Sequence, residues 1–174
     1  MTAAAFQLAV ALQLVSTLAM TGLILLVQFV HYPLFDRVAE DRFIRFETDH
    51  SNWITFIVFP LMTVELGTAI WLAIGRSGSP DRWIWYAGLA LVGLLWLSTA
   101  VLSVPEHNRL MNGFDAAAHR RLVVTNWPRT LMWSLRTGLL VYVFLTMFRP
   151  TLPADVEQPP ASASKPNNVS LPTS

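Results

Sequence analysis

Four apolar stretches, separated by polar segments, organise this chain. Residues 2–30 hold no charged side chain, 53–75 hold only Glu65, 83–104 hold none, and 130–148 hold only Arg136. A helix needs about 20 mostly apolar residues to cross a bilayer, and each stretch approaches or exceeds that length. Membrane strands would alternate in polarity and run about ten residues, which these do not. The pattern predicts an all-α, polytopic membrane protein, a four-transmembrane-helix bundle with helices at about 5–31, 51–75, 83–105 and 129–148. Residues 1–149 form one four-helix transmembrane domain. Residues 1–30 lack a basic leader region and run longer than a signal-peptide core, so they read as the first helix.

Between the stretches lie one short and two long connections. "RSGSPDR" at 76–82 is a tight turn, with Gly78 and Pro80 ending one helix and starting the next. The long connections, 31–52 and 105–129, mix charges with Phe35, Val38, Phe43 and Phe46 in one and Leu122 and Val123 in the other. They predict two long interfacial loops on one side, carrying short amphipathic helices. Residues 150–174 hold Pro150, Pro153, Pro159, Pro160, Pro166 and Pro172 with serine and asparagine, and read as a disordered tail.

Composition agrees with a membrane environment. The chain is 53% hydrophobic and 13% charged, against about 25% charged in soluble domains. With no cysteine, thiol catalysis, disulfides and thiolate metal sites are excluded. A net charge of +1 without a basic block argues against a nucleic-acid partner and leaves the lipid bilayer as the expected one.

Alternating spans bring the end of helix one, the start of helix two, the end of helix three and the start of helix four to one side. His31, His50, His107 and His119 all fall there. Arg37, Arg42, Arg45, Arg109, Arg120, Arg121 and Arg129 share that side, while Arg76, Arg82 and Arg149 lie on the other. The positive-inside rule therefore places the histidine-rich side in the cytoplasm and both termini on the far side, which is the periplasm in the bacterial inner membrane expected for this chain.

The chemistry-bearing residues derive from this geometry. His31 sits three residues after Gln28, close enough for the amide to orient the ring or a substrate. "ETDH" puts Glu47 and His50 at i and i+3, a spacing that suits one metal on one helical face. His107 comes two residues after Pro105 at the end of helix three, and His119 lies in the second long loop. Nitrogen and oxygen ligands without sulfur predict a non-haem transition metal (iron, copper or zinc) on His31, His50, His107, His119 and Glu47, with haem as a second option. Such a centre would make the protein an oxidoreductase acting on a small or lipid-soluble substrate.

Glu65 stands near the middle of helix two, where a carboxylate must be paired, coordinated or protonated. Arg136 is the expected partner, and with Gln28 the two complete the candidate catalytic set. Two other classes compete with an enzyme. One is a small membrane carrier or channel using Glu65 and Arg136. The other is a structural or accessory subunit without metal, and a homo-oligomer fits any of the three.

"VQFVHYPLF" at 27–35, "FETDH" at 46–50, "FPLMTVEL" at 59–66, "STAVLSVPEHNRL" at 98–110 and "HRRLVVTNWPRTLMWSLR" at 119–136 carry a resemblance. The chain resembles a widespread family of small bacterial four-helix integral membrane proteins of unknown function. More loosely, it is similar to the membrane-protein superfamily related to anthrone oxygenases. That likeness implies oxygen chemistry on aromatic or lipid-like substrates.

Overall fold

The computed structural model describes residues 2–147. The tail and the end of the last apolar stretch lie outside these residues. Five α-helices account for most of the chain: α1 Ala3–Leu26, α2 Glu40–Gly75, α3 Arg82–Ser98, α4 Val104–Leu110 and α5 Ala116–Met147. α1 packs on α2 and α5, α2 on α3, and α3 on α5, closing a four-helix bundle; α4 continues α3.

Among the described residues, three segments are long and apolar enough to cross a membrane: Ala3–Arg37, Glu40–Gly75 and Arg82–Leu110. The described surface explains the need for lipid. Trp53, Phe56 and Ile74 are 69%, 74% and 69% exposed, and Leu12, Val15, Leu94, Leu131 and Leu135 also face outward. An apolar surface this extensive is tolerated where the solvent is hydrocarbon.

The charged flanks of the apolar stretches are drawn into the long helices. α2 starts at Glu40, so "DRFIRFETDH" forms its first turns, and His50 lies well inside the helix. α5 starts at Ala116 and runs through Asn126 and Pro128 without a break. Its start is capped by Asp115, whose carboxylate accepts from the Ala117 and Ala118 N–H groups at 2.8 and 3.0 Å. Those bonds hold the Asp115 carboxyl below its ordinary range.

α1 and α3 end alike. Each passes into a π-helical turn, Val27–His31 and Thr99–Ser103, just ahead of a proline, Pro33 and Pro105. The Tyr32 N–H reaches the Val27 carbonyl, and the Val104 N–H reaches that of Thr99. Proline lacks an N–H and its ring clashes with the carbonyl four residues back, and the wider turn accommodates both defects. It also shifts the register of the side chains beyond it.

Hydroxyl side chains inside the spans mostly bond their own helix. Ser16, Thr21, Thr63, Thr99, Thr130 and Ser134 each donate to the carbonyl four residues earlier, at 2.7–3.1 Å. This keeps polar groups satisfied without water.

The interior divides into three apolar clusters. At the histidine-rich end, Val27, Tyr32, Phe35, Phe43, Leu110, Ala118 and Leu122 pack together. Met20, Ile24, Met62, Leu95 and Trp133 fill the middle. Ala9, Val10, Leu72, Ala73, Trp85 and Val143 close the opposite end. Below that plug, Arg76 holds Asp81 through two 2.9 Å bonds, and the Trp85 indole donates to the same carboxylate at 3.2 Å. Burial raises the Asp81 pKa, but hydrogen bonds from Ser79, Arg76 and Trp85, with the Arg76 charge, outweigh it and hold the group at about 2.

Candidate functional site

Two buried polar centres interrupt the apolar interior. The first is built around Glu65. It lies ten residues before the end of α2, which at 1.5 Å per residue is about 15 Å from that end, or half a hydrocarbon core. Glu65 and Arg136 are each 1% exposed. The guanidinium Nε donates to Glu65 Oε1 at 3.3 Å, and Nη1 donates to the Gly88 carbonyl at 2.5 Å. Thr17 donates to the same carboxylate oxygen, and the Trp133 indole donates to Oε2 at 3.1 Å. Thr17 is on α1, Glu65 on α2, Gly88 on α3, and Trp133 and Arg136 on α5. One ion pair therefore ties all four long helices. Beside it, Thr68 donates to Gln13 across the α1–α2 contact.

The second centre sits at the histidine-rich end. His31 Nε2 meets His50 Nδ1 at 2.8 Å. His107 bonds on both sides, to the Tyr32 hydroxyl at 2.9 Å and to Glu47 Oε1 at 2.5 Å. His119 Nε2 donates to the Tyr32 carbonyl at 2.7 Å. The His50 and His107 ring centroids are 5.4 Å apart. Glu47 is fully buried, and Ser51 donates to its Oε1 at 3.3 Å.

The expected metal site on His31, His50, His107, His119 and Glu47 does not form. Among the described residues, no group of three or more histidine or acidic side chains is arranged to hold a metal ion. The rings gather, but their nitrogens engage one another, Tyr32 and Glu47 in pairs. His119 is turned to a backbone carbonyl. The donor atoms therefore converge on no common point, as coordination requires. This overturns the non-haem iron, copper or zinc assignment and the oxidoreductase reading that rested on it. The haem option falls with them, because His31 and His107 are each committed to other partners.

Gln28 is placed differently from the sequence expectation. It donates to the Val123 carbonyl at 3.3 Å and accepts from Asn126 Nδ2 at 2.9 Å, turned to α5. The π-turn between Gln28 and His31 shifts their relative register, and the amide does not orient the ring.

Sequence reasoning assigned no site role to Tyr32 or Thr17, and placed Arg129 and Trp133 outside the candidate site. Arg129 is 5% exposed, donates to Ser103 Oγ at 2.7 Å and Asn126 Oδ1 at 3.0 Å, and lies over the Trp133 ring at 5.4 Å. A signal existed. Asn126, Arg129, Trp133 and Arg136 recur at spacings of three and four along α5, and Gln13 and Thr17 lie four apart on one face of α1.

Cavities connect the second centre toward the first. One of about 240 Å³ at the histidine-rich rim is bounded by Ser51, Asn108 and Met111. A second, of about 260 Å³, lies between α2 and α3 and reaches down to Met62. His107, Ile54, Thr55 and Val104 line both. Near the opposite end, the space beside Arg136 is about 20 Å³, enough for about one water.

No protein-family model, curated protein or solved structure matches this chain.

Proposed function

We propose that the protein is a small membrane carrier, with the Glu65–Arg136 pair as the latch between two access states. The observation that carries this reading is the pair itself, an ion pair at mid-span that bonds to all four long helices and stands below a one-sided run of cavities. The His107 end is hollow, while the Trp85 end is plugged. A bundle of this form is a carrier open on its histidine-rich side. A buried charge pair suits a latch because its cost in lipid is high when broken and offset when formed.

In this reading α5 is the fourth span, the histidine-rich side faces the cytoplasm of a bacterial inner membrane, and the likeness to small bacterial four-helix membrane proteins is one of architecture. A small hydrophobic molecule entering between α2 and α3 is the cargo, and a homo-oligomer gives a second copy a place against the exposed apolar faces.

The native absence of cysteine makes the test direct. Single cysteines at Ser103, on the open side, and at Leu140, beside the small cavity near Arg136, report access to a membrane-impermeant maleimide in proteoliposomes. In a Glu65→Gln background, labelling at residue 140 should rise several-fold while labelling at 103 falls. A rise at both positions means simple loosening, no change at either means a fixed bundle, and both results overturn the carrier in favour of a structural subunit.

A further inference from the structure

We propose that the cavity between α2 and α3 is a binding site for a single-chain lipid carboxylate, a fatty-acid-type amphiphile whose head is held by Arg129. This deepens the carrier reading by naming its cargo. Binding stands without that reading, and only the transport of the bound molecule rests on it.

Two arginines are buried among the described residues, Arg129 and Arg136. Arg136 has Glu65. Arg129 has the neutral oxygens of Ser103 and Asn126 at its Nη1, the Trp133 ring at 5.4 Å and an interaction with the Tyr32 side chain, none of them a carboxylate. Its Nε is buried without a partner. On the Tyr32 side, hydrogen bonds run from the Tyr32 hydroxyl to His107 and on to Glu47, so that carboxylate lies beyond two side chains. A buried guanidinium without an adjacent anion carries a desolvation cost that an incoming anion offsets.

The walls name the rest of the ligand. Arg129, Tyr32, Ser103 and His107 line one part of the 260 Å³ cavity, and most of its remaining wall is apolar, with Phe59, Met62 and Trp96 among its lining. A polar end with one unsatisfied cation and an apolar remainder match an amphiphile with one anionic head. A carboxylate is planar and accepts two parallel bonds from one guanidinium. A double-chain phospholipid brings two tails and a bulkier diester to a cavity sized for a single chain. The cavity borders the lipid-facing sides of α2 and α3, so a tail can enter from the bilayer.

The test uses the full-length protein in detergent and cis-parinaric acid, a fluorescent polyene fatty acid, read by energy transfer from tryptophan. Saturable binding should be displaced by oleate, but not by methyl oleate or by dioleoyl phosphatidylglycerol. Arg129→Gln should weaken binding about tenfold or more, the scale of a lost charge-assisted bond, with Arg129→Lys retaining part of it. Because Arg129→Gln also disturbs Asn126, Ala100→Phe provides a second variant. It fills the apolar part from the rim, leaves the guanidinium untouched, and should also abolish binding. Equal competition by methyl oleate would overturn the carboxylate assignment, and competition by phosphatidylglycerol instead of oleate would make the occupant a bilayer phospholipid. Binding unaffected by Ala100→Phe places the ligand elsewhere and ends the proposal. Intact binding with fixed cysteine access would leave the site standing and remove the carrier.

Discussion

The two polar centres use the same kinds of side chain and are finished in different ways. At Glu65 both carboxylate oxygens accept bonds and Arg136 divides its donors between that carboxylate and a backbone carbonyl. At the histidine-rich end, Glu47 Oε2, His50 Nε2 and Arg129 Nε are buried without partners. The Glu65 carboxylate, bonded at both oxygens, holds helices together, and the open donor beside it is Gln13 Nε2. A centre that keeps open donors and acceptors beside a cavity carries a standing cost that binding can relieve. The contrast separates what binds the bundle from what the bundle is positioned to bind.

The contrast breaks first at Arg136. Arg136→Met leaves Glu65 as an unpaired charge in the membrane interior and should destabilise the fold by about 3–5 kcal/mol, read from SDS titration in mixed micelles. Glu65→Leu combined with Arg136→Met should recover most of that loss, because replacing both partners removes the stranded charge. A double variant as unstable as the single one would show that the four-helix node acts through packing alone.

Glu47→Gln should cost less, about 1.5–3 kcal/mol by the same titration, since one charge-assisted bond to His107 weakens while the other carboxylate oxygen has no bond to lose. A loss as large as that of Arg136→Met would erase the distinction between the centres. Smaller again is the double change His31→Phe with His50→Phe. It removes both partners of one bond and an already unpartnered nitrogen, so stability should shift by less than about 1 kcal/mol.

A different kind of effect belongs to Asp81, away from both centres, where water screens its partly exposed ion pair with Arg76. Its folded pKa is lowered to about 2 against an ordinary 3.8, so the stability it contributes is fully present above about pH 4. It is lost as pH falls from there toward 2, where the folded-state carboxylate also protonates. Thermal melts from pH 5 to 2 should show a shallow decline that Asp81→Asn flattens. An unchanged pH slope in that variant would place the acid sensitivity at other carboxylates.

Much of the architecture was legible because the membrane imposes a simple rule. Apolar runs long enough to cross it mark helices, and alternating spans bring the four histidines to one end. Glu65 and Arg136 were legible as partners for the same reason, since an intramembrane charge demands one. The metal assignment failed where side-chain direction mattered. "ETDH" sets Glu47 and His50 three residues apart, yet one bonds His107 and the other His31. Arg129 read as an arginine of the connection 105–129, on the histidine-rich side. α5 begins thirteen residues earlier, at Ala116, and Arg129 is carried inside the bundle.

Hydropathy and spacing by themselves determined that this is a helical membrane protein, which residues are costly to bury, and which end the histidines share. Those properties come from transfer energies and from counting along one chain. The tertiary structure decided which polar atoms are satisfied. Two π-turns rotate Gln28 away from His31 and shape the wall near Ser103, and the four-helix packing lets Arg136 reach from α5 across the bundle interior to Glu65 while leaving Arg129 without an adjacent carboxylate. A hydrogen bond depends on distance and direction between helices far apart in sequence, and that information exists only once the helices pack.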